Sequence, residues 1–299
     1  MYDIAVVGGG PAGLTAALYA LRAGKKVLII EKAAFGGQIT FSPKVENIPG
    51  FTEISGNEFA EKMVDQVLAQ GGEFEVSEAT AIKDGKTKTV ITDSGEFEAK
   101  AVVIAAGARH RLLGLENEQN LIGNGISFCA VCDGAFFAGK TVGVVGGGNS
   151  ALQEALLLAE TSRKVMVFQN LDRLTGEQKL IDQLGKKSNV EVLLGCEVLA
   201  YTGIDELQGV VVRRDGETRE YKLDGLFLAV GLVPQNAPFA DVAALDDRGY
   251  IAAGEDCVTA TPGVFVAGDC RNKQIRQVTT ACADGAVAAL AACRYIDSL

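Results

Sequence analysis

Residues 3–31 read DIAVVGGGPAGLTAALYALRAGKKVLIIE, and residues 141–169 read TVGVVGGGNSALQEALLLAETSRKVMVFQ. The two stretches align without a gap at a constant offset of 138. Val6-Val7-Gly8-Gly9-Gly10 recurs as Val144-Val145-Gly146-Gly147-Gly148, and Leu14, Ala17 and Leu18 recur as Leu152, Ala155 and Leu156. Each copy reads as a strand, a glycine turn, a helix and a second strand. The continuous apolar runs at 4–7 and 142–145 suit strands buried on both faces of a parallel sheet. Helical spacing of apolar residues follows, and Val/Ile/Leu-rich strands resume at 27–30 and 165–168. Two such βαβ units, more than a hundred residues apart, predict an α/β protein. Its two doubly wound, Rossmann-like nucleotide-binding domains would be nested, the second inserted into the first.

The turns carry their own chemistry. In Gly8-x-Gly10-Pro11-Ala12-Gly13 the first glycine makes the tight turn, the second lets backbone approach a pyrophosphate, and the third packs helix on strand. A diphosphate then meets the unpaired N–H groups and positive dipole end of the helix. Glu31 closes the second strand 18 residues past the last glycine, where a carboxylate accepts a ribose hydroxyl. A lone glycine pattern also describes an ordinary turn, but here strand, helix and terminal acid all stand in place. The second copy, Gly146-x-Gly148-Asn149-Ser150-Ala151, repeats the layout, with Gln169 where the first has Glu31.

Composition narrows the function class. The chain has 299 residues, 48% of them hydrophobic, with a net charge of −10, a balance that argues against nucleic acid as a partner. Its apolar runs are broken well before the ~18 residues that cross a membrane, so no membrane partner is expected. Met1-Tyr2-Asp3 leads directly into a strand pattern with no positively charged n-region, and the expected location is cytoplasmic. There the seven cysteines should be mostly reduced, and a disulfide that does form has a catalytic use rather than a stapling one.

Between the repeats lies Cys129-Ala130-Val131-Cys132-Asp133-Gly134. CxxC spacing makes either a small redox-active disulfide or half of a zinc site. Zinc needs two further ligands, yet there is one histidine and no second CxxC, so no metal is expected. Dithiol chemistry is favoured, with Asp133 placed to give or take a proton.

These motifs together make the sequence similar to the low-molecular-weight thioredoxin reductases. The resemblance runs over nearly the whole chain: GGGPAG at 8–13, GGQI at 36–39, VENIPGF at 45–51, IAAGA at 104–108, CAVCDG at 129–134, GGGNSA at 146–151, GVFVAGDC at 263–270 and RQVTTA at 276–281. It implies FAD held by the first turn and Glu31, by Gly37 and Gln38, by Asn47, and by Ala106 and Gly107. Gly268 and Asp269 would reach the ribityl or phosphate region, and Arg276, Gln277 and Val278 would pass the flavin ring. A nicotinamide dinucleotide would lie at Gly146, Gly148, Asn149, Ser150 and Gln169. The FAD domain would comprise 1–113 and 243–299, and the inserted domain 114–242, with hinges near Gly114 and Ala243–Asp247. Cys132 would be the sulfur nearer the flavin, Cys129 the one that attacks a thioredoxin-like partner, and Asp133 the acid that protonates the leaving thiolate. The resemblance also implies a homodimer.

One departure bears on the electron donor. NADPH-using relatives carry His-Arg-Arg after the strand that ends the second repeat, with another arginine four residues further on. Here the stretch is Gln169-Asn170-Leu171-Asp172-Arg173-Leu174-Thr175, without the matching arginines. Each charge-assisted hydrogen bond lost to a 2′-phosphate costs about 1.5–3 kcal/mol, so NADH is favoured over NADPH. A non-nicotinamide donor such as reduced ferredoxin is the alternative, and a redox-sensing flavoprotein without turnover is the reading from a different class. His110, the one histidine, is expected to be a surface or structural residue, and the five other cysteines small buried apolar residues.

Overall fold

The computed structural model describes residues 1–42 and 45–299. The chain divides into two compact units: 1–43, 48–109 and 233–299 form the first, and 44–47 and 110–232 the second.

The first unit is built on the first repeat. Strand β1 (Tyr2–Val7), helix α1 (Pro11–Arg22) and strand β2 (Val27–Glu31) form its βαβ core, followed by α2 (Gly56–Ala69) and β3 (Glu73–Val76). A meander of β4 (Ala79–Lys83), β5 (Lys88–Thr92) and β6 (Glu96–Ile104) completes the sheet order β3-β2-β1-β6-β5-β4. On the edge away from β1, the nine-residue β6 serves two partners. Its first half pairs antiparallel with β5, and Val102–Ile104 pair parallel with β17 (Val264–Val266), which returns from the far end of the chain. The 20-residue α7 (Val278–Asp297) packs on α1. Its alanines, with those of α1, fill one face of the sheet beside Ile4, Val6 and Val103. Because Ile4–Val7 and Val27–Ile30 are buried on both faces, their continuous apolar spelling follows from position.

The second unit repeats the plan. Strand β8 (Ile126–Ser127), α4 (Ala130–Asp133), β9 (Thr141–Val145), α5 (Asn149–Leu158), β10 (Lys164–Phe168), α6 (Gln178–Leu184) and β11 (Val190–Leu193) lead to β15 (Gly225–Leu228). The sheet β11-β10-β9-β15-β8 is parallel throughout. An antiparallel sheet of β12 (Cys196–Thr202), β13 (Gly209–Arg214) and β14 (Glu217–Lys222) is added to it.

The chain passes between the units at β7 (Ala108–His110) and β16 (Leu232–Pro234), two short strands paired with each other. The division read from the sequence, at 113/114 and 242/243, lies four and ten residues later than 109/110 and 232/233. Two packing facts account for the differences. Buried Glu118, on α3 (Glu118–Leu121), accepts the Leu113 and Gly114 amides and ties that stretch into the second unit. Phe239, Val242 and Ala243 belong to the core of the first unit, so that core recruits the chain well before Ala243. Among the described residues no helix is long and apolar enough to cross a membrane.

Candidate active site

In the first unit the sequence-selected residues collect at the carboxyl ends of β1, β6 and β17. Gly8 has φ +111°, and a Cβ there would stand 2.2 Å from the Ala105 carbonyl oxygen, so only glycine fits the turn. A Cβ on Gly13 would stand 1.8 Å from the Gly8 oxygen. Gly10 is different: its nearest prospective contacts are 3.9 Å away, at Gly36 and Gly37. The protein itself leaves room for a side chain at Gly10, and with it room for a ligand to approach the backbone. Helix α1 begins at Pro11 with no side-chain cap, leaving the first-turn amides of Ala12 and Gly13 without a helical acceptor. Glu31 accepts the Gly9 amide at 2.8 Å and thereby fixes the turn.

The remaining segments meet this turn. Gln38 donates its side-chain amide to the Ala108 carbonyl, just beyond Ala106 and Gly107. Gly268, at φ +80°, abuts Ala12. Asp269 follows it, with Oδ1 shut off from solvent and lacking a hydrogen-bond partner, and burial pushes its carboxyl pKa up. The Arg276 guanidinium donates to the Asp269 carbonyl and lies 4.2 Å from the Tyr250 ring centroid. Gln277 caps α7, which starts at Val278. Asn47 stands apart from this set. It groups with the second unit, and its Nδ2 lies 4.0 Å from Cys132 Sγ.

In the second unit Gly146 and Gly148 form the equivalent turn, and α5 likewise starts at Asn149 without a side-chain cap. Ser150 lies in the first turn of the helix. Asn149 is engaged, donating to Glu177 Oε1 at 3.0 Å and accepting the Glu177 amide at 2.7 Å. Gln169 packs against Gly147 and is 4% exposed, and its Nε2 donates to the Arg173 carbonyl at 3.2 Å. Its position matches that of Glu31, with Nε2 engaged by the chain itself.

Cys129 and Cys132 are joined as a disulfide, with Cα atoms 5.3 Å apart. Cys129 is the N-cap of α4, and its Sγ accepts the Cys132 amide at 3.2 Å. A sulfur at a helix start is stabilised as thiolate by the exposed N–H groups. Asp133 closes α4 and accepts the Ser127 hydroxyl at Oδ2 over 2.5 Å. Its Oδ1 is shielded and unpartnered, and burial raises its pKa against the lowering effect of the Ser127 bond. Val131, between the cysteines, is 61% exposed, so the loop presents an apolar tip to solvent. His110 stacks on Phe128, the residue before Cys129, at 4.4 Å. Burial lowers its pKa to about 4.

Sequence reasoning did not single out Ser127 or Glu154, both of which bear on Asp133. A hydroxyl two residues before the CxxC is a visible hint for Ser127. Nothing in the spelling of α5 marks Glu154.

A nucleotide turn in each unit and a disulfide in the second form the signature of one enzyme class. The family described as pyridine nucleotide-disulphide oxidoreductase matches residues 2–285. The chain belongs to that family. A thioredoxin reductase from Listeria monocytogenes is 40% identical over 100% of this chain and 95% of its own length. One from Bacillus subtilis is 38% identical over 100% and 96%. The crystal structure of thioredoxin reductase from Streptococcus pyogenes superposes with a TM-score of 0.94 at 38% identity, covering 100% of this chain and 99% of that one. Within the family the chain falls among the thioredoxin reductases, which are flavoprotein oxidoreductases acting on sulfur groups.

The family brings FAD and a pyridine nucleotide, and the first unit suits FAD on its own geometry. Asp269 has a buried oxygen in want of a hydroxyl donor, Gly10 leaves room for a diphosphate, and the α1 amides are uncapped.

Proposed function

We propose that this protein reduces the disulfide of a thioredoxin-like protein, drawing electrons from NADH in preference to NADPH. The observation that carries the reading is the Cys129–Cys132 disulfide at the start of α4, with the shielded Asp133 carboxyl directly after it. FAD, when bound, supplies a two-electron carrier between the donor and the cysteine pair. Gly8, Gly10, Pro11, Ala12 and Gly13 hold its diphosphate, and Glu31 a ribose. Gly37, Gln38, Ala106, Gly107, Gly268 and Asp269 line its path, with Arg276, Gln277 and Val278 nearest the ring.

Once the pair is reduced, Cys129 attacks the partner disulfide as thiolate and forms a mixed disulfide. The displaced partner sulfur takes a proton from Asp133. Cys132 then attacks Cys129, re-forming the intramolecular disulfide and releasing the reduced partner. The helix start favours the Cys129 thiolate, and exposed Val131 offers an apolar contact for the partner. Asn47 is placed to steady Cys132 rather than the flavin, on the strength of its approach to the sulfur.

The donor preference rests on Asn170, Leu171 and Thr175, which supply no cation for a 2′-phosphate. A non-nicotinamide donor, of which reduced ferredoxin is the type, is the second reading. What favours it is Gln169, buried and committed to Arg173. We take the working form to be a cytoplasmic homodimer.

The test is turnover of a thioredoxin by the FAD-loaded enzyme with NADH and, separately, NADPH. NADH should support it at least tenfold better, in keeping with the loss of about 1.4 kcal/mol or more toward the phosphate. Cys129→Ser and Cys132→Ser should each abolish it while FAD stays bound. Normal turnover in either variant refutes the dithiol assignment, and silence with both nicotinamides makes ferredoxin the donor.

A further inference from the structure

The dithiol site contains a second carboxyl that the exchange scheme leaves unused. Helix α4 lies against α5: Ala130 shares a core with Ala151, Leu152, Ala155 and Leu158. Gly134 comes close enough that a Cβ on it would stand 3.3 Å from Leu158 Cδ2. Glu154 is one turn before Leu158 and shares that face of α5. Its Oε2 is closed to solvent and has no hydrogen-bond partner, the same condition as Asp133 Oδ1. Glu154 as a residue is nevertheless part-exposed, so the side chain runs between the shielded contact and water.

Two shielded carboxylate oxygens without donors are costly, and each charge raises the cost of ionising the other group. Burial first, and then the charge of Asp133, push the Glu154 pKa up to about 8. Other charges on the elements packed most closely against α5 are engaged or turned to solvent. Lys164 on β10 pairs with Glu191 at 2.6 Å, Asp182 on α6 accepts from Gln178 at 2.8 Å, and Lys179 is exposed. Strand β9 carries no ionisable group. Since Ser127 stabilises charge on Asp133, the proton of the pair rests on Glu154.

We infer that Glu154 is the proton reserve of the dithiol site, resupplying Asp133 each time Asp133 protonates a leaving thiolate; the inference rests on the exchange scheme proposed above. In the step, Asp133 takes the proton of Glu154 and passes it to the leaving sulfur, so the S–H bond forms as the Glu154 O–H bond breaks. Glu154, part-exposed, recovers one from water. No electrons move in this relay, and the thiol–disulfide exchange is otherwise unchanged. Glu154 acts through Asp133 and is a positioning and proton-holding residue.

Infrared titration of the oxidised, FAD-loaded protein tests the reserve without turnover. A protonated-carboxyl C=O band should be present at neutral pH and disappear with a midpoint of about 8. It should be absent in Glu154→Gln and titrate at lower pH in Asp133→Asn. Absence of the band at neutral pH, or its survival in Glu154→Gln, overturns the inference. In turnover, the deficit of Glu154→Gln should reach about tenfold near neutral pH, where Glu154 still holds its proton, and shrink above pH about 8, where the parent loses it too, and Glu154→Asp should recover part of it. A deficit equal at every pH marks a structural role and also overturns it. Asp133→Asn should lose turnover at every pH. If it does not, the exchange scheme itself is wrong, whatever the infrared band shows.

Discussion

His110 and Glu154 show how far single residues depend on their surroundings. Burial against Phe128 holds the His110 pKa at about 4, below its ordinary 6.5. Between those values the unfolded chain binds a proton that the folded state refuses, so stability falls as pH drops through that window. The loss approaches ~3 kcal/mol at its acid end. Chemical denaturation at pH 7 and pH 5 should show His110→Phe losing less stability than the parent over that interval; equal losses would mean that the ring is not desolvated. The sequence marked His110 as a surface or structural residue, and the structure makes it a half-buried strand residue stacked on Phe128, just before the CxxC. That could not be read from Ala108-Arg109-His110-Arg111, because polar neighbours say nothing about a ring partner eighteen positions away at Phe128. Glu154 was equally silent, since desolvation is a property of the α4–α5 contact. Cys129, Cys132 and Asp133 were legible because their chemistry requires adjacency in the chain.

At the scale of elements, the two glycine turns were the most legible feature, since their spacing is set by local backbone geometry. The structure adds which glycine the fold itself crowds and which it leaves open. Gly13→Ala drives a Cβ into the Gly8 carbonyl and should destabilise even the flavin-free protein by about 3 kcal/mol. Gly10→Ala meets nothing closer than 3.9 Å. It should leave the flavin-free melting temperature unchanged and weaken FAD binding by about 2–3 kcal/mol, the loss of one hydrogen bond to a charged diphosphate. Calorimetry of the apoprotein together with a flavin-binding isotherm separates the two. If Gly10→Ala melts early without flavin, the turn is crowded by the protein itself. The same logic applies to Gly148, whose nearest prospective contact is Thr175 Oγ1 at 3.8 Å. Gly148→Ala should spare the fold and FAD and slow reduction by NADH, and an unchanged rate would place electron entry elsewhere. Helix α7 begins at Val278, where the Gln277–Thr280 capping box sets its start.

For the whole molecule, the internal repeat revealed two nested units, and long-range packing moved their borders. Ala237–Phe239 and Ala243 are drawn toward the first core by Ile251, Val264 and Cys270, partners that a linear pattern cannot supply. The donor has the same dependence on three-dimensional context: Gln169 matched Glu31 in register, while its commitment to Arg173 emerged only on folding. With FAD assigned to the folded first unit as proposed, saturating flavin should raise stability by ~2.7 kcal/mol at a hundredfold excess over its Kd. The account turns on the Cys129–Cys132 pair exchanging electrons with that flavin. Anaerobic titration of the FAD-loaded protein with dithionite, which needs no particular donor site, counts them directly. Complete bleaching of the flavin band should consume about two two-electron equivalents per flavin, one for the ring and one for the disulfide, and about one in Cys129→Ser. Bleaching complete after about one equivalent in the unmodified protein would show the disulfide disconnected from the flavin and contradict the account.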